Sequence, residues 1–272
     1  MNSTSAQHDL SPDPLWRGKV LLWDEQALFL GKAANTNLHE SPAIKICVAL
    51  DENFYLRFGD GEVWREFSAA VIAPGQLHAI DGRQNEMAML VLVPEAELAA
   101  PLNALFLSEG LIVLPPAAHE KLRALFASPE FTEGDAAAVE SVCFRMMKII
   151  SDSLGVAAEN SIDPRVAKSI EFIRNGHEDG VSVKEIAAGA DLSESRFSHL
   201  FTENVRVPVR RYLLWLRLRE AIHLLARGVS LTDSAYEAGF ADSAHLTRTF
   251  RGMLGITPSA LIKESSLTTF LP

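Results

Sequence analysis

The chain has 272 residues, enough for two compact domains, and its 48% hydrophobic and 22% charged content is that of an ordinary globular protein. Charges break every apolar stretch well before the roughly twenty residues of a membrane span, and the two cysteines, Cys47 and Cys143, lack the C-x-x-C or His-flanked spacing of a disulfide framework or zinc centre. A net charge of -10 argues against nucleic acid only if spread evenly, yet residues 1–160 hold 11 Lys and Arg against 22 Asp and Glu, whereas 161–264 hold 14 against 13.

Residues 1–16 are polar and carry Asp9, Pro12, Asp13 and Pro14. They predict a loose arm and no secretory leader, and with the reduced cysteines they set a cytoplasmic expectation. From 17 to 94 short apolar runs alternate with turn residues, the pattern of a small antiparallel barrel. The expected strands are Val20–Trp23, Ala27–Gly31, Ile44–Leu50, Phe54–Phe58, Ala70–Ile72 and Met87–Leu92, with turns at Asp60-Gly61 and Pro74-Gly75. Tyr55, Phe58 and Trp64 are either core or the lining of a small-molecule pocket. Residues 95–156 turn helical, over Pro116 to Phe126 and Asp135 to Leu154. The second segment carries a wide apolar stripe, Val139, Val142, Cys143, Met146, Met147, Ile149, Ile150 and Leu154. It either covers the barrel or makes a homodimer contact. Residues 157–162 are the expected linker.

Residues 163–265 hold a short internal repeat. Ser182 to Phe201 matches Ser230 to Phe250 at an offset of 48 that becomes 49, one extra residue falling in the second turn. Each copy opens with a serine followed three residues later by an acid, Ser182 with Glu185 and Ser230 with Asp233, the signature of a capped helix start. Asp191 and Gly239 sit where a turn needs a left-handed backbone. Ser193 and Asp242 cap second helices that turn Phe197, Leu200 and Phe201, or Leu246 and Phe250, inward. Two helix-turn-helix units, about 182–204 and 230–252, follow from this, joined by a long helix from about Pro208 to a stop at Gly228. Units facing one side of a duplex would read adjacent major grooves, roughly 34 Å apart.

Gly239-Phe-Ala-Asp-Ser-Ala-His-Leu-Thr-Arg-Thr-Phe-Arg, then Gly255-Ile-Thr-Pro258-Ser, together with Arg210-Arg-Tyr-Leu-Leu-Trp-Leu-Arg-Leu-Arg219, resembles the AraC family DNA-binding domain over its whole length. The resemblance implies an α+β multidomain regulator that binds double-stranded DNA at promoters: an N-terminal cupin-like antiparallel β-barrel with following helices, then an all-α domain of two helix-turn-helix units. It directs Ser195, Arg196, Ser198, His199 and Thr202 to DNA from the first unit, and Ala244, His245, Thr247, Arg248 and Arg251 from the second. Arg196 and Arg248 are the expected base readers, because a guanidinium can donate twice to a guanine edge. Arg210 and Arg211 are expected on phosphates. The family's usual glycine at the end of the first recognition helix is replaced by Asn204-Val205-Arg206, so either Asn204 takes the left-handed conformation or that helix ends differently.

The cupin-like likeness rests on Ala73-Pro-Gly-Gln-Leu-His78 and an isolated His39. A catalytic metal site needs about three protein ligands, and His39 and His78, with Glu40 alongside, are the sole candidates, so no metal, cofactor or enzyme activity is expected. Two alternatives to a regulator responding to a small-molecule effector stand beside it: a cupin-type metal-dependent enzyme fused to a DNA-binding domain, and a protein-interaction module.

Overall fold

The computed structural model describes residues 16–103, 105–107, 110–132, 136–156, 162–176, 182–263 and 265–270. The expected arm except Trp16, and the expected linker except Ile162, lie outside the described residues. The first half contains β1 (Arg17–Leu22), β2 (Gln26–Asn35), β3 (His39–Glu40), β4 (Ile44–Ala49), β5 (Phe54–Arg57), β6 (Arg65–Phe67), β7 (Ala69–Ile72) and β8 (Leu77–Leu92). After these come α1 (Ala100–Asn103), β9 (Leu111–Val113), α2 (Pro116–Phe126), α3 (Pro129–Thr132) and α4 (Ala136–Leu154). The second half contains α5 (Pro164–Gly176), α6 (Val183–Gly189), α7 (Glu194–Val205), α8 (Val209–Ala226), α9 (Leu231–Glu237), α10 (Ser243–Leu254), α11 (Pro258–Ile262) and β10 (Ser265–Thr269). The chain is thus an α+β protein, sheet first and helices second. Among the described residues no helix is long and apolar enough to cross a membrane.

The strands form one sheet ordered β10-β1-β2-β8-β4-β7-β9, to which β3, β5 and β6 attach through β8 and each other. Strand side chains alternate between faces, so a sheet buried on both sides must present two apolar sets at period two. The central strands do so. Leu28 of β2, Ile44, Ile46 and Val48 of β4, and Ala88, Leu90 and Leu92 of β8 pack with α2 and α4. Phe29 of β2, Cys47 and Ala49 of β4, and Met87, Met89 and Val91 of β8 face a second cluster shared with α8, α10 and α11. Both cysteines are buried and free.

Several expectations change. The first strand starts at Arg17, not Val20, and β8 is 16 residues long where only Met87–Leu92 was anticipated. Arg83 and Gln84 take positive φ (49° and 61°) where the register with β2 shifts; before them β8 pairs with β3, β5 and the end of β2, and after them with β2 and β4. A pattern interrupted by Asp81, Arg83 and Gln84 does not look like one strand. In the α4 stripe Val139, Val142, Cys143, Met146, Met147 and Ile150 are buried against the sheet, which is the covering role, one of its two expected readings, while Phe144 is left exposed. The rings of Tyr55 and Trp64 are capped by cations of their own domain: Arg83 lies 3.8 Å over Tyr55 and Arg57 lies 5.0 Å over Trp64. The helical half is not purely helical either. Its last strand, β10, pairs in parallel with β1, from Gly18–Ser265 to Leu22–Thr269, and Phe270 packs on Trp23 at 5.0 Å.

Candidate nucleic-acid interface

Each helix pair is built by local chemistry. In the first, the Ser182 side chain accepts from the Glu185 amide (3.3 Å) while the Glu185 carboxylate accepts from the Ser182 amide (2.9 Å), the reciprocal capping box. These bonds also hold the Glu185 carboxyl below its usual range. Asp191 makes the turn at φ 55°, and Ser193 caps α7 by accepting from the Arg196 amide at 3.3 Å. In the second, Ser230 accepts from the Asp233 amide (3.1 Å), Gly239 turns at φ 76°, and Asp242 accepts from the His245 amide (2.6 Å). Phe197, Phe201, Leu246 and Phe250 are fully buried, so each second helix turns its apolar side inward.

The opposite faces are open. Ser195, Arg196, His199, Ala244, Arg248 and Arg251 are exposed; Ser198, Thr202, His245 and Thr247 are half-buried. The guanidinium groups of Arg196 and Arg248 have no hydrogen bond or ion pair among the described residues, which leaves their donors free for an incoming acceptor. The Thr202 and Thr247 hydroxyls are occupied, donating to the carbonyls four residues back (Ser198 and Ser243, both 2.8 Å). His245 stands edge-on to Phe240, ring centroids 5.2 Å apart. At the offset of 49 residues, Arg248 matches His199, and Arg196 matches His245, so the two arginines lie at different levels of their helices.

The first recognition helix ends in neither of the ways that keep Arg206 out of the left-handed region. Arg206 itself takes φ 65°, the position matched by Gly255 (φ 77°) in the second unit. Asn204 stays helical, its side chain donating to the Leu200 carbonyl and accepting from the Asp163 amide at the head of α5, 2.8 Å each. Both C-terminal ends abut the first domain: Arg206 beside the Gly75 turn, and Gly255 so close to Thr36 and His39 that a Cβ there would overlap them. The N-terminal ends of α7 and α10, with Ser195, Arg196, Ala244 and His245, are therefore directed away from the sheet.

Arg210 and Arg211 are neighbours with separate fates. Arg210 is largely exposed beside Glu194 (3.4 Å). Arg211 is turned onto the first domain, where it donates to the Glu40 carbonyl and pairs with the Glu40 carboxylate at 3.4 Å. Three further cross-domain pairs share this polarity: Arg219 with Asp24 (3.2 Å), and Arg174 with Glu25 (2.7 Å) and Glu95 (3.2 Å). Glu95 also accepts from the Tyr212 hydroxyl. Part of the acid excess of the first half thus meets arginines of the second. No local sequence pattern announces pairs between residues up to 195 positions apart.

His39 and His78 come together, with ring centroids 4.2 Å apart. Their Nδ1 atoms bond the Asn37 and Gln76 carbonyls (2.9 and 2.7 Å). A carbonyl can only accept, so each Nδ1 carries the proton and each Nε2 presents a lone pair. Both lone pairs converge on Lys45 Nζ, which donates to His39 and, at 3.2 Å, to His78. A lysine amine stands where a metal would have to sit, and no group of three His, Cys, Asp or Glu able to hold one occurs among the described residues.

A family model described as a helix-turn-helix domain matches residues 186–264. The HTH-type transcriptional activator RhaS of Escherichia coli O139:H28 is 30% identical over 146 residues, 51% of this chain and 52% of RhaS. RhaS of Enterobacter sp. strain 638 is 30% identical over 132 residues, 47% of each. The chain thus spans about half the length of the curated relatives it matches. A solved structure of ToxT from Vibrio cholerae shares the fold with a TM-score of 0.58 at 11% identity, covering 87% of this chain and 97% of that one. ToxT with an unsaturated fatty acid bound gives 0.57 at 10% identity, covering 87% and 94%.

Proposed function

We propose that this chain is a transcription regulator of the AraC family and that it binds promoter DNA sequence-specifically in the cytoplasm through both helix pairs. The observation that carries the reading is a pair of capped helices, repeated at 49 residues, whose buried aromatic faces leave Arg196 and Arg248 exposed and unpaired. Arg196 and Arg248 read base edges, and Arg210 meets phosphate. Arg211 is not assigned to phosphate, because its side chain joins Glu40. The reading includes no catalytic step, and the first domain serves to hold a small-molecule effector, as ToxT holds a fatty acid.

Anisotropy titrations on the promoter next to its own gene, against a scrambled duplex, test this. Arg248→Ala should cost about 1–3 kcal/mol on the preferred site and little on the scrambled one. Equal losses on both remove the base-reading role. Absent or salt-insensitive binding by the unaltered protein favours a protein-interaction module.

A further inference from the structure

One cavity of about 110 Å³ lies between the two halves, walled by β1, β2, β4 and β8 on one side and by α8, α10 and α11 on the other. Its lining is overwhelmingly apolar, as Phe29, Met89, Val91, Ile222 and Ile256 illustrate. Four buried polar atoms on residues of this lining have no hydrogen-bond partner among the described residues: Trp16 Nε1, Trp215 Nε1, Gln26 Oε1 and His223 Nδ1. Buried polar groups are almost always satisfied, so such a cluster around one void points to an absent polar partner.

Lys45 lines the same cavity and is 2% exposed. No carboxylate among the described residues pairs with it; its polar neighbours are the two imidazole lone pairs and the Cys47 thiol. An ammonium there has three protons and two acceptors, and so lacks both a counter-ion and a third bond. Burial meets this deficit by pushing Lys45 down to about 7. The cluster also touches the DNA-facing half. The Asn37 carbonyl accepts from His39, while the Asn37 amide (2.8 Å) and side chain (3.2 Å) both donate to the Gly255 carbonyl at the end of α10.

We propose that this cavity binds a small, compact apolar monocarboxylate whose carboxylate pairs with Lys45, and that occupancy is transmitted through His39 and Asn37 to the C-terminal end of the second recognition helix. The inference deepens the effector role in the reading above by naming the ligand class and its anchor. Size sets the class: an engineered apolar cavity of about 150 Å³ takes benzene, so the present void suits a ring or a short branched chain and is too small for a long-chain fatty acid. The carboxylate supplies the missing charge and acceptor at Lys45, and its body lies against the apolar part of the wall.

Benzoate and the near-isosteric neutral benzamide are the probes, titrated calorimetrically into the full chain without DNA, so that failure here leaves the DNA-binding reading untouched. Benzoate should bind at least about tenfold tighter than benzamide. Lys45→Met should remove that preference, and Ile222→Trp, which fills the void from α8 without touching Lys45, should weaken benzoate by a similar factor. Hydrogen exchange of residues 251–257 should slow on adding benzoate to the unaltered protein. No benzoate binding, equal binding of acid and amide, or full benzoate affinity in a folded Ile222→Trp protein overturns the site. Unchanged exchange at 251–257 with benzoate bound overturns the coupling. The acid-to-amide ratio in the unaltered protein decides the charge requirement even where a variant fails to fold.

Discussion

Removing the Glu95 side chain should loosen the junction between the two halves by about 2–4 kcal/mol. Glu95 follows β8, its side chain is 4% exposed, and it accepts from both Tyr212 of α8 and Arg174 of α5. Truncation to alanine strands the hydroxyl of Tyr212, a fully buried residue, and leaving such a donor unsatisfied costs about 1–3 kcal/mol. Arg174 is partly exposed at 27% and keeps Glu25 at 2.7 Å, so its loss is screened and adds only about 1 kcal/mol. Urea unfolding followed by tryptophan fluorescence suits the test, because Trp16, Trp23 and Trp215 all line the junction cavity. Glu95→Gln keeps an acceptor for Tyr212 and should lose less than half as much as Glu95→Ala. If Glu95→Ala unfolds with the unaltered protein to within about 0.5 kcal/mol, or if Glu95→Gln is equally damaging, the carboxylate does not hold the junction as argued.

Arg210→Ala should weaken binding to every duplex and reduce the salt dependence by about one phosphate contact, whereas Arg211→Ala should leave the salt slope unchanged and lower the unfolding midpoint; identical salt slopes for the two variants would refute the division drawn from their contacts. A thermal profile against pH should rise from about 7 to 9 in the absence of ligand. Lys45 is held at about 7 against an ordinary 10.5, so over that window the unfolded chain binds more protons and folding gains as pH increases. The groups facing Lys45 act predictably: His39 and His78, held well below 6.5 by burial, make stability fall further as pH drops through 6.5, while the Cys47 thiol, raised to about 12, opposes the gain above about 9. Lys45→Met should flatten the profile between 7 and 9; an unchanged slope there would show that Lys45 is not the titrating group.

The helix pairs were legible in the sequence because everything that makes them is local. A serine meets an acid three residues away, a turn needs Asp191 or Gly239, and an apolar face recurs every three or four residues; each signal lies inside one turn of chain. Even there Arg206 adopts a conformation that its type resists, ending α7 as a left-handed cap with its amide on the Thr202 carbonyl. The tertiary structure alone decided what faces what. The pairing of β10 with β1, the turning of Arg211 away from its neighbour Arg210, the burial of the α4 stripe and the convergence of His39 and His78 on Lys45 join residues from 6 to about 250 positions apart. Such contacts are selected by which surfaces must be covered and which buried charges matched. Periodicity and capping along the chain do not encode those pairings.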